Sequence, residues 1–120
     1  MQIIFDEKLV PELKERYIVL ELDTVKQPAM SAPATLYALI ETLDLNTITN
    51  LESIVKQHDE MVKNYKNSQW DSAVFDANAL KGCWKGELDE FYDLVISTST
   101  ENLQKGVIWD GIRYTIPTED

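Results

Sequence analysis

The stretch from Asn64 to Tyr92, NYKNSQWDSAVFDANALKGCWKGELDEFY, constrains this chain more than any other. It holds Trp70 and Trp84, with Tyr65, Phe75, Phe91 and Tyr92 around them. Aromatic side chains carry the largest apolar area per residue, so a core forms where they gather. The same stretch holds Gly82, Gly86 and the single cysteine, Cys83. The pattern predicts the end of one helix, a tight turn, a second helix, a Gly-Trp-Gly corner and a third helix.

The segments on either side follow from periodicity. Asp6 is placed to cap a short helix carrying Leu9, Val10 and Leu13, and Pro11 suits the first turn of a helix beginning near Val10. Tyr17 to Val25 changes to a period of two, Leu20, Leu22 and Thr24 alternating with Glu21, Asp23 and Val25, which reads as a half-buried strand. KQPAMSAPA is a loop, and residues 34–41, ATLYALIE, read as a strand pairing back on 17–25, with a helix as the alternative. From Ile48 to Tyr65 apolar residues recur every three or four positions, the clearest amphipathic helix here, with Thr49 and Glu52 at capping-box spacing. Ser68 is placed to cap the next helix, Gly82 to end it in a left-handed turn, and the third helix runs from about Glu87 through Ile96. STSTENLQKG then reads as a frayed helix end and loop. Asp110-Gly111 marks a tight turn, either of a small hairpin or of an extended tail laid over the sheet.

At 120 residues the chain makes one domain and needs no disulfide or metal to hold a core. The fold class is α+β: a small antiparallel β-hairpin or sheet packed with a three-helix, repeat-like region. Residues 1–46 supply the short helix and hairpin, 47–100 the helices and 101–120 a C-terminal extension. One cysteine fits a reducing compartment. The N-terminal sequence lacks the features of a signal peptide, and no run is long and apolar enough to cross a membrane. An intracellular protein is the expectation.

The formal net charge is −10, unevenly spread. Residues 56–85 are nearly neutral, whereas residues 86–120 carry eight acids against two bases. Direct nucleic-acid binding is not expected, because phosphate neutralisation needs clustered Lys and Arg. The plainest role of surplus acid is solubility. Its more specific role is docking a basic protein partner.

Candidate sites are few. His58 falls on the apolar stripe of its helix, where a core histidine is the ordinary outcome, and its neighbours Asp59 and Glu60 point elsewhere. One His and one Cys are too few ligands for a zinc centre, and Cys83 has no base nearby in sequence. Gly82 and Gly86 lack the spacing and the Lys-Ser or Lys-Thr of a phosphate loop. No catalytic residue, metal site or cofactor is assigned. Glu87, Asp89, Glu90 and Asp93 form the densest acidic surface, and Trp109 and Tyr114 are candidates for contact. These six are the candidate partner-binding residues.

Tyr65, Trp70, Ala73, Ala77 and Leu80 resemble the turn between the two helices of a tetratricopeptide repeat, over residues 64–80. The resemblance implies close helix packing across Ala73 and Ala77. Gly82 to Gly86 stands where the family's closing proline is expected, and one such unit cannot bury its faces alone. It implies a helical hairpin grafted on a sheet. The whole chain, with Phe5-Asp6-Glu7, the VLELDT strand at 19–24 and WKGELDEFY at 84–92, resembles small uncharacterised proteins encoded by tailed bacteriophages. That implies a structural or accessory component, incorporated into a virion, and no particular activity. The functional expectation is a non-enzymatic protein–protein interaction module. The alternative is an acidic inhibitor that mimics nucleic acid in a basic groove, which requires carboxylates spaced along one face like phosphates.

Overall fold

The computed structural model describes residues 2–4, 7–41 and 51–114. Asp6, Thr49 and the end after Pro117 lie outside the described residues, and with them the caps expected there. In chain order come β1 (Gln2–Ile4), a 3-10 turn (Glu7–Leu9), α1 (Val10–Leu13), β2 (Tyr17–Lys26) and β3 (Ala34–Glu41). They are followed by α2 (Leu51–Lys66), α3 (Trp70–Leu80), α4 (Asp89–Lys105) and β4 (Arg113–Tyr114). The fold is α+β.

The sheet runs β1-β3-β2-β4. β3 pairs antiparallel with β1 and β2, so 34–41 is the expected strand. The sheet is nevertheless mixed, because β4 lies parallel to β2. A strand that returns through a helical crossover can run in the same direction as its neighbour, which a tight hairpin cannot arrange. Among the described residues Asp110-Gly111 therefore leads an extended segment onto β2 and makes no hairpin.

The alternation expected along β2 breaks in the middle. Leu20 and Leu22 are buried, and then Asp23 and Val25 are buried in place of Thr24. Between Glu21↔Tyr37 and Thr24↔Thr35, three steps on β2 answer two on β3. One extra residue in a bulge reverses the facing of everything after it. Asp23, a polar-face residue by simple alternation, is thereby turned inward.

α2 lies against β2, α3 against α2, and α4 against α3. Met61, Val62 and Tyr65 of α2 join Leu20, Leu22, Ala38 and Ile40 of the sheet in one core with Trp70, Leu80, Trp84, Tyr92 and Val95. Ala73 and Ala77 are fully buried, and their small side chains permit the close approach of neighbouring helices.

The helix ends differ from expectation at two places. Ser68 does not cap α3; Gln69 occupies that position without a side-chain bond. Instead Ser68 takes φ 62°, and Gln69 N–H and Ser68 N–H donate to the Asn64 and Tyr65 carbonyls, closing α2 with a Schellman motif. α4 continues through the expected frayed segment to Lys105, closed by Gly106 at φ 66° with Val107 N–H donating to Asn102 O. Burial of Val95 and the Lys105–Glu101 ion pair offset the poor helix propensity of its Ser and Thr residues.

Candidate functional site

The chain after α4 is strapped across the corner between α2 and α3. Trp70 Nε1–H donates to Val107 O at 2.9 Å, Trp109 N–H to Ser68 Oγ at 3.0 Å, and Trp109 Nε1–H to Tyr65 O at 2.9 Å. The Trp109 ring meets Tyr65 edge-on at 4.9 Å and Trp70 at 5.3 Å. Gly111, at φ 83°, then passes so close to α2 that a Cβ there would sit 3.2 Å from the Lys66 carbonyl oxygen. This close passage carries the chain to β4.

At β4 the inverted Asp23 finds its counter-ion. Arg113 Nε donates to Asp23 Oδ2 at 2.5 Å, and the Asp23 side chain is 3% exposed. A carboxylate so buried requires a cation close by. Tyr65 stands beside this pair; burial, reinforced by the Asp23 charge, pushes its phenol above its ordinary pKa.

Between α4 and this strapped segment lies a groove of about 550 Å³. Thr98 and Asn102 of α4 form one wall, and Trp109, Asp110, Arg113 and Tyr114 line it from the segment. Asp110 is held in place: its Oδ1 accepts from Ile112 N–H at 3.0 Å and its Oδ2 from Tyr114 O–H at 2.8 Å. Those bonds, that of Tyr114 first, hold its carboxyl below the usual range, and the same contact raises the Tyr114 phenol. Ile108, at 87% exposed, and Tyr114, at 62%, stand at the groove with most of their surface in water. Leu103 and Val107, nearby in sequence, are exposed too.

The six sequence-derived candidates divide into two groups. Trp109 and Tyr114 meet at the groove. Glu87, Asp89, Glu90 and Asp93 gather at the start of α4, roughly 20 Å from Asn102 at 1.5 Å of rise per residue. There Asp89 Oδ1 accepts the Gly82 N–H at 2.8 Å, and Asp93 pairs with Lys81 at 2.7 Å. Asp89 and Asp93 thus already serve the Gly82 corner. Thr98, Asn102, Ile108 and Asp110 were not among the candidates. The first two lie in the segment read as frayed, and only the run Val107-Ile108-Trp109 hinted at an apolar surface.

His58 is fully buried and wholly engaged. Its Nε2 lies 2.7 Å from the Glu21 carbonyl oxygen, which can only accept, so the proton sits on Nε2. Nδ1 then accepts from the Tyr92 hydroxyl at 2.9 Å, and Tyr92 accepts from Trp84 Nε1–H at 2.8 Å. Burial lowers the His58 pKa, outweighing the carbonyl bond and the nearby charges of Asp59 and Glu21. Cys83 is a half-buried free thiol directed at the Ala79 carbonyl.

Comparison with protein-family models, with curated proteins and with solved structures finds no match for this chain. Among the described residues, no three His, Cys, Asp or Glu side chains are grouped so as to hold a metal ion, and no helix is long and apolar enough to cross a membrane.

Proposed function

We propose that this protein is a non-enzymatic interaction module that docks a protein partner through the groove beside α4, as a small component of a larger assembly such as a phage particle. The observation that carries the reading is the exposure of Ile108 and Tyr114 on a segment that Trp70, Trp109 and Ser68 hold rigidly. Apolar side chains left in water on a fixed base lose little conformational entropy when a partner covers them. The acidic-mimic alternative draws less support, because several carboxylates are answered by the chain's own groups. Lys66 meets Glu21, Lys81 meets Asp93, Lys105 meets Glu101 and Arg113 meets Asp23.

The test is site-specific photo-crosslinking in the cells that make the protein. A photoreactive residue at Ile108 or Tyr114 gives one discrete protein adduct, and the same residue at exposed Ser72 on α3 gives none. Absence of adducts at both groove positions, with a monodisperse monomer in light scattering, overturns the proposal.

A further inference from the structure

The groove carries two charged side chains whose situations are opposite. Arg113 is answered from within by the buried Asp23. Asp110 has only neutral hydrogen-bond partners among the described residues, the Ile112 N–H and the Tyr114 O–H. The net local charge is therefore the unneutralised carboxylate of Asp110. Two donors fix its orientation, while each oxygen keeps a further lone pair for an incoming donor. Two aromatic rings, Trp109 and Tyr114, line the same groove, and aromatic faces attract cations through the ring quadrupole. Ile108 and Ile112 supply apolar wall, suited to the methylene stem of a long basic side chain.

We infer that the groove accepts a Lys or Arg side chain flanked by apolar residues, presented by the partner protein. This deepens the interaction reading and rests on it. Charge complementarity selects the occupant: Arg113 is answered by Asp23 and Lys105 by Glu101, so among the described residues the carboxylate of Asp110 is the charge left over at the groove, and the chain's net charge of −10 favours approach of a cationic partner. An acidic or neutral apolar segment would gain nothing from Asp110.

The experiment uses the full chain, isotopically labelled, and blocked tripeptides as probes. Leu-Arg-Leu is titrated against Leu-Gln-Leu and Leu-Glu-Leu while the Trp109 indole, Asn102 amide and Thr98 signals are followed. Leu-Arg-Leu produces saturable shifts at these positions. Leu-Gln-Leu binds about threefold to fivefold more weakly, the scale expected of an exposed charge pair with a neighbouring ring, and Leu-Glu-Leu more weakly still. Asp110→Asn keeps the hydrogen-bonding shape, leaves the remaining spectrum unchanged, and removes the preference for Arg over Gln. Equal binding of the three peptides, a preference that survives in Asp110→Asn, or no shift at the groove overturns the inference. Successful crosslinking at Ile108 alongside failed peptide binding would leave the interaction module standing and remove only the cationic occupant.

Discussion

The imidazole of His58 donates its Nε2 proton to the carbonyl oxygen of Glu21, 2.7 Å away across 37 positions of sequence. The contact joins α2 to β2 at the edge of the bulge. Through Nδ1 and the Tyr92 hydroxyl it extends to α4 and, through Trp84, to the glycine corner. One neutral ring thus ties the sheet to the helical layer, with a donor and an acceptor each met once.

This relay makes stability depend on pH with a definite sign. The folded pKa of His58 lies below its ordinary 6.5, so the unfolded chain takes up a proton first. The contribution is unaffected above the unfolded value and is lost as pH falls below it, by up to about 1.4 kcal/mol per pH unit. Denaturant unfolding at pH 7.5 and pH 5 should show this loss in the native chain. His58→Gln, which can still donate and accept but cannot titrate, should show a shallower decline. His58→Phe should lose about 2–4 kcal/mol at neutral pH by orphaning the Glu21 carbonyl and the Tyr92 hydroxyl.

Arg113 and Asp23 should behave as a coupled pair. Arg113→Gln leaves a buried carboxylate without a cation and should cost about 2–4 kcal/mol, the upper range being tempered because Arg113 is partly exposed. Adding Asp23→Asn should recover part of that loss, since two neutral amides need no counter-ion. A double-mutant cycle by chemical denaturation measures the coupling. Additive losses would contradict a mutually dependent pair.

Gly111 and Gly82 share φ 83° but differ in surroundings. Gly82→Ala meets open space and should cost about 1 kcal/mol from backbone strain alone. Gly111→Ala adds a methyl 3.2 Å from the Lys66 carbonyl oxygen, so its cost should be clearly larger. It should also loosen the strap, visible as a shift of the Trp109 indole signal and of its fluorescence.

Ser99 is fully buried in α4, and its hydroxyl finds no hydrogen-bond partner among the described residues. Ser99→Ala removes a desolvated polar group and improves helix propensity. It should stabilise the protein by about 1 kcal/mol, read from the denaturation midpoint at unchanged slope.

Much of this architecture was legible in the sequence. The apolar stripe from Leu51 to Tyr65 specified α2 and its buried face, and the period-two run YIVLELDTV specified a strand that 34–41 pairs. The aromatic cluster from Tyr65 to Tyr92 located the core, and left-handed turns arose at Gly82 and Gly86. These features are set by neighbours within a few residues, where side-chain spacing and backbone preference act directly. The tertiary structure alone decided the rest. The bulge turned Asp23 inward, where Arg113 meets it 90 positions later. Packing carried α4 past the point where Ser and Thr propensity would end it, and Trp109 claimed the Ser68 hydroxyl that local rules assign to a helix cap. It also decided that Trp109 and Tyr114 share a groove with Thr98, Asn102 and Asp110, apart from the acidic start of α4. Each of these outcomes depends on a partner distant in sequence, and such a partner becomes available only when the chain has collapsed around its core.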